Sequence, residues 1–290
     1  MWRGLLLMSC LLAGDCALAL AASPADRPRS AVAADSLFRA LEPGLELAEL
    51  PMPPAENGNS GDGGLVALRI DPERFDLRLL NASASEAGEP RSARQWCADS
   101  GLVAAINASM FQTDQRTSVS LMQSAEHVNN ARLSKDRAVL AFDRADTTVP
   151  RADIIDLTCQ DFEALRPRYR GLVQSIRMVS CKGENTWSQQ PRRTSIAAIA
   201  VDSRGRVLFL HCRTPYTTHD FIAALLDLQL DIAKAMYTEG GSQAQVYLRS
   251  GEVELERNGK LEGGALIDIQ DASAAWPIPN VIGIVRRPVP

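Results

Sequence analysis

Residues 193–201 and 206–212 form two runs rich in Ile, Val and Leu, separated by Asp202-Ser203-Arg204-Gly205. This is the clearest hairpin in the chain: β-branched residues favour strands, and a glycine-containing turn closes them. Other segments follow the same habit. Leu65 to Ile70 alternates as a strand, Asp71-Pro72-Glu73-Arg74 turns, and Phe75 to Leu80 returns. Leu102-Val103-Ala104-Ala105-Ile106 is continuously apolar, as expected of a strand buried on both faces, and delivers Asn107 at its C-terminal end. Ala138 to Phe142, Asp153 to Leu157, Val246 to Leu248 and Val281 to Val285 add further strands, and Asn258-Gly259 gives a second hairpin signal. Strands therefore dominate the expected fold.

Helices are few. Ser92 to Ser100 has helical character, and Asp161 to Tyr169 is polar with helical spacing. Thr217 or Thr218 caps a helix beginning near His219, whose buried stripe is Phe221, Ile222, Leu225, Leu226 and Leu228. Ser36 to Leu41 suggests a turn or two of helix in an otherwise weakly structured stretch. The expected class is α+β: a single domain with a mixed, mostly antiparallel β-sheet core and a few packed helices. Its expected limits are residues 65–290, after an N-terminal extension and Gly-rich linker at 23–64. The loop at 57–64 lacks the Gly-Lys-Ser/Thr of a P-loop and reads as a solvated connector.

The first residues read as an export signal, over 1–22. Arg3 is the positive n-region, Leu5 through Ala13 the apolar core, and Ala17-Leu18-Ala19 or Ala19-Leu20-Ala21 the cleavage site. A lipoprotein signal ending at Cys16 is the alternative, and Asp15 before that cysteine argues against it. No later run approaches the ~18 apolar residues of a membrane span. An exported protein, periplasmic or secreted, follows. The net charge of −4 and the scattered Lys and Arg give no nucleic-acid footprint. Cys97, Cys159, Cys181 and Cys212 remain beyond the signal. They permit two disulfides in three connectivities, or one bridge and two buried thiols. Without a CxxC or a His cluster, no metal site or cofactor is implied.

The stretch Tyr237-Thr238-Glu239-Gly240-Gly241-Ser242 carries the chemistry. An apolar run ends in a lone carboxylate, and two glycines and a hydroxyl follow. Glycines let backbone pass close to a ligand, and successive amides can cup an anion. A carboxylate beside amide donors suits a sugar or a phosphate, although such a sequence is also ordinary turn chemistry.

Five segments together resemble the phosphodiester glycosidase family. They are Ile106-Asn107-Ala108-Ser109-Met110-Phe111, Gln174-Ser175-Ile176-Arg177, Arg192 to Ala200, Glu239-Gly240-Gly241-Ser242 and Pro279-Asn280-Val281-Ile282-Gly283. They stand in the family's order over roughly residues 65–285. Three positions depart from the pattern: Ser109 and Ser120 replace glycines, and Glu239 replaces the commoner aspartate. The resemblance implies an exported hydrolase that cleaves an N-acetylglucosamine-like sugar from the phosphate on its anomeric carbon. Its substrate would be a small molecule or glycan bearing a sugar phosphate, with no nucleic acid, membrane span or partner protein implied.

Such a site needs Arg forks and amide donors for the leaving phosphate, and a carboxylate near the oxocarbenium-like carbon. Glu239 is the expected catalytic carboxylate, Asp114 a possible second, and Asn107 a holder of sugar hydroxyl or water. Arg177 and Arg193 are the expected phosphate clamp, with Arg192 the weaker of the adjacent pair. Thr194, Gly240, Gly241 and Ser242 complete the substrate contacts. Bland readings stand beside these: ion pair for Arg177, solvated charge for Arg193 and Asp114, turn cap for Asn107. A non-catalytic envelope protein that binds glycan or sugar phosphate is the competing reading. A Cys159–Cys181 disulfide is expected to close a loop of about 20 residues and to steady Arg177.

The export signal gives a direct prediction. Intact-mass analysis of the exported protein should find cleavage near Ala19 or Ala21, with neither Met1 retained nor lipid on Cys16.

Overall fold

The computed structural model describes residues 35–53, 64–85, 88–260 and 275–288. The expected export signal and most of the Gly-rich loop lie outside the described residues. Strands are numbered in chain order. A seven-stranded sheet holds β1 (Arg39–Glu42), β2 (Leu45–Leu50), β3 (Leu65–Ile70), β13 (Val207–Tyr216), β12 (Thr194–Asp202), β14 (Ile232–Gly240) and β11 (Arg177–Val179), in that order. A five-stranded sheet has β7 (Val128–Asn130), β6 (Met122–Gln123), β10 (Tyr169–Ser175), β8 (Ala138–Arg144) and β9 (Ala152–Asp156). A second five-stranded sheet has β16 (Val253–Asn258), β15 (Gln245–Ser250), β5 (Ala104–Asn107), β17 (Asn280–Arg286) and β4 (Phe75–Asn81). All pairings among the described strands are antiparallel, so the expected mixed sheet is an antiparallel one.

One apolar core lies where the three sheets face each other. It takes Leu68, Ile199 and Met236 from the first sheet, Leu140 and Val173 from the second, and Ile106, Val246 and Ile282 from the third. Every residue of β12 is buried. Ala197, Ile199 and Val201 face this shared core, while Ile196, Ala198 and Ala200 face the other side. Each sheet's outer face is covered by one helix. Helix α3 (Thr218–Asp227) seats Phe221, Ile222 and Leu225 on the seven-stranded sheet. Helix α1 (Ala93–Ser100) seats Trp96 and Cys97 on the sheet containing β5. The short α2 (Phe162–Leu165) seats Phe162 on the remaining sheet. Ser92 and Gln95 form a capping box that starts α1, and Thr217 accepts from the Asp220 amide to start α3.

Two expectations are corrected. Residues 39–50 are not weakly structured or helical: they form β1 and β2, and β2 pairs with β3 along its whole length. The pattern Leu45-Glu46-Leu47 alternates into and out of the core, as a strand requires. The anchor is Arg69 on β3, which is 1 % exposed. Its guanidinium meets Glu46 on β2 at 2.6 Å and Asp35 at 3.0 Å, and lies 4.0 Å from the centre of the Phe38 ring. The later hairpin turns at Gly251, φ +56°, between β15 and β16, not at Asn258-Gly259.

Removing a buried charge anchor leaves its partners uncompensated. Arg69→Ala should lower stability in urea by about 3 kcal/mol and raise deuterium uptake across residues 39–50.

Candidate active site

Strand β14 carries a bulge that aims its terminal carboxylate. Ala198 of β12 lies opposite Tyr237, but Ala197 lies opposite Glu239, leaving Thr238 as the extra residue. A bulge changes which face later residues occupy. Glu239 thereby shares a row with Ala197 on the inner face, while Tyr237 shares one with Ala198 on the outer face. The C-terminal ends of β5 and β10 arrive at the same junction. The Tyr237 amide donates to Ile176 O at 2.9 Å. Ser175 ends β10 two residues before Arg177, which pairs with Met236, and Thr238 stands two residues after Met236. The Ser175 and Thr238 side chains are fully buried, and neither hydroxyl has a hydrogen-bond partner among the described residues.

The turn after Glu239 is held from several sides. Gly241 has φ +68°, a conformation that glycine adopts without strain. Gly240 is extended, and its constraint is space: a Cβ there would meet the Tyr237 hydroxyl at 2.1 Å. Thr194 hydrogen-bonds that same hydroxyl. Asn107, 1 % exposed, donates from Nδ2 to Gln243 O at 2.8 Å and accepts the Gln245 amide on Oδ1 at 2.7 Å. His211, in the same row as Ala197, bonds Ala244 O through Nε2 at 3.1 Å. A carbonyl partner requires Nε2 to carry the proton. Burial holds this ring neutral, with its pKa lowered to about 4.

Glu239 is 8 % exposed. Burial pushes its pKa up to about 7, against the Gly240 amide bound to Oε1 at 2.9 Å and the nearby charge of Arg192. A carboxyl poised near neutrality can hold or release a proton at working pH. Tyr237 is raised also, by burial and then by Glu239. Its ring packs 5.6 Å from that of Trp187.

Arg177 stands on β11, and Nη1 meets both oxygens of Asp156, at 2.7 and 2.9 Å, as well as Thr158. Asp156 is 1 % exposed and also accepts the amides of Thr158 and Cys181. Burial raises its pKa, and the bonds from Cys181, Thr158 and Arg177 outweigh that and hold it below the usual range. The guanidinium charge is thus balanced by Asp156, and Arg177 ties a loop to a strand. The Cys159–Cys181 disulfide closes the same corner. Asp156, Cys159 and Cys181 stand close enough to share a metal ion, but the sulfurs bond each other and the carboxylate is engaged. Cys97 and Cys212 do not pair: both are buried free thiols, pushed up to about 12 by burial.

The other expected residues divide. Gly240, Gly241 and Thr194 meet at the turn, and Ser242 is half-buried on it. Arg193 is half-buried just before β12. Asn107 bonds backbone with both ends of its amide and so positions the turn. Asp114 is exposed, and its described hydrogen bonds stay within its own loop, to Thr117 and Arg116. Those bonds, that of the Thr117 hydroxyl first, lower its pKa. Ser109 donates to Gln174 O at 3.1 Å and Ser120 to Asp136 at 2.6 Å, so both glycine replacements are stitched into the framework. Arg192 had been the weaker of the two adjacent arginines in the sequence; Ser175, Thr238 and Tyr237 lay inside the motif stretches without assigned roles, and His211 had no signal there.

No curated protein sequence matches the chain significantly. Solved structures do match in fold. The catalytic domain of zebrafish N-acetylglucosamine-1-phosphodiester alpha-N-acetylglucosaminidase aligns with a TM-score of 0.59 at 12 % identity, covering 86 % of each chain. A hypothetical protein from Synechocystis aligns with a TM-score of 0.55 at 13 % identity, covering 86 % of this chain and 63 % of that one. The family model described as phosphodiester glycosidase matches residues 100–285, a span that contains β5, β10, β14 and the Glu239 turn. The chain belongs to the phosphodiester glycosidase family.

Proposed function

We propose that this chain is an exported hydrolase that releases a sugar, N-acetylglucosamine-like, from a phosphodiester at its anomeric carbon. The observation that carries the reading is Glu239: a buried carboxyl near neutrality, bound by the Gly240 amide, at the meeting point of three sheets. Phosphate is a weak base and departs without strong acid help, so one carboxylate at the anomeric centre suffices. In its ionised form Glu239 takes the proton from the attacking water, and its charge stabilises the oxocarbenium-like carbon. Arg193 and Arg192 balance the charge developing on the leaving phosphate. The amides after Gly240 and the Ser242 hydroxyl add donors. Arg177 acts at one remove, holding the Asp156 loop against β11, while Asn107 and His211 keep the turn in place. Asp114 has no step in this scheme.

The pH dependence follows from the direction of the Glu239 shift. Its folded pKa, about 7, lies above the ordinary carboxyl value of 4.5. The folded state therefore binds the proton more tightly, and stability falls as pH rises between those two values. A base must be ionised, so kcat/KM for a sugar-1-phosphodiester should rise through an apparent pKa near 7.

Glu239→Gln keeps the shape and removes the charge. Turnover should fall by a factor of about 100 or more, roughly 2.7 kcal/mol of lost transition-state stabilisation. The same variant should be more stable than the parent at pH 8, by up to about 3 kcal/mol, and equal to it near pH 4. That opposition of activity and stability separates a functional carboxylate from a structural one. Parent protein that binds the diester yet releases no sugar over long incubation would instead establish the sugar-phosphate-binding reading.

Arg177→Lys keeps charge and loses the planar fork. It should lower the melting temperature and reduce turnover in proportion to lost folded protein, with KM unchanged. Arg193→Lys should raise KM with little change in melting temperature.

A further inference from the structure

A cavity of about 390 Å³ lies between β4 and the sheet of β8 and β10, and Glu239 is not among its lining residues. One wall is the whole run Phe75 to Leu80. Strand β4 is the edge of its sheet, paired only with β17. The ladder register tells which backbone groups face the cavity. The Arg287 amide donates to Arg74 O, and the Ala82 amide donates to Pro279 O. In an antiparallel ladder these bonded pairs recur every second residue. Asp76, Arg78 and Leu80 therefore turn their amides and carbonyls towards β17. Leu77 and Leu79 turn theirs to the open edge, where no described backbone group meets them.

Four arginines surround this edge: Arg78, Arg144, Arg151 and Arg287. Arg287 bonds Asp76, and Arg151 meets Glu73 at 2.8 Å. Arg144 donates to Val149 O at 2.7 Å, and its charge also acts on the carboxylates of Glu73 and Asp146. Arg78 is exposed and has no described ion pair. The lining carboxylates are Asp76, Asp143 and Glu126; Asp143 is bound by Arg170 at 3.0 Å. The cavity thus presents the Arg78 fork and two amide donors for an anion, with two carbonyls and the Glu126 carboxylate to accept hydroxyl protons.

We propose that this cleft is a second saccharide site, separate from the Glu239 turn, that binds an anionic sugar unit bearing a carboxylate or phosphate. The donor set matches the acid group, and the acceptor set matches the ring hydroxyls. An acidic peptide added as a strand is the rival occupant. It is disfavoured because the open edge is short: Phe75 has its amide on Asp71 O, and the strand ends at Asn81. The proposal does not depend on the hydrolase reading.

Calorimetry on the full exported chain tests it, with trigalacturonate as probe. Neutral maltotriose and pentaglutamate serve as comparisons, at low and physiological salt. Trigalacturonate should bind, more weakly as salt rises. Arg78→Glu should weaken it by about 10-fold or more, and Arg78→Lys by less. Arg192→Glu should leave this affinity intact. Melting temperatures verify that each variant is folded. Four results would each overturn the site: no binding at millimolar probe, equal binding of maltotriose, tighter binding of pentaglutamate, or loss with Arg192→Glu in place of Arg78→Glu.

Discussion

The side-chain amide of Asn107 is the interaction on which the site depends. It ends β5 in one sheet and grips the backbone on both sides of Ala244, in the segment that leaves another sheet. Both atoms are buried, so loss of either bond strands a polar group away from water. His211 holds Ala244 O from the seven-stranded sheet, and the Gly259 amide bonds the same carbonyl. Three separate stretches thus fix one short turn, and that turn fixes the Gly240 amide against Glu239.

Glu239 itself works against the fold. An ionised carboxylate in a dry site is unfavourable, and only one backbone amide and the charge of Arg192 offset the burial. The compensation lies elsewhere: β12 is buried along both faces, and a shared apolar core joins all three sheets. Such local conflict between stability and charge is the ordinary mark of a functional position. Arg177 shows the contrast. Its carboxylate partner is also buried, yet bonds from backbone, hydroxyl and guanidinium satisfy that carboxylate, and the pair serves as an anchor.

Much of this was legible in one dimension. The hairpin of β12 and β13, the buried β5 with Asn107 at its end, the Thr217 cap and the Glu239 turn all follow from local pattern. Each is set by near neighbours in the chain: apolar runs, glycine turns, a hydroxyl before a helix. The Cys159–Cys181 pairing was also foreseen, from the segment the two residues flank. The N-terminal strands were missed because β1 and β2 are short and lean on Arg69, a residue distant in sequence. The buried partners of Arg177 and Asn107 were not legible for the same reason. Their partners, Asp156 and the turn after Gly241, lie 21 and about 136 residues away.

The sequence by itself determined most of the element types, the antiparallel bias and the residues from which a sugar-phosphate site could be made, because propensity, turn chemistry and motif order are local properties. Only the tertiary structure decided which face Glu239 occupies and how dry it is. That outcome rests on one extra residue, Thr238, in the pairing of β14 with β12. A bulge exists only between two strands, and burial exists only once three sheets have closed around it. No reading of either strand alone contains them.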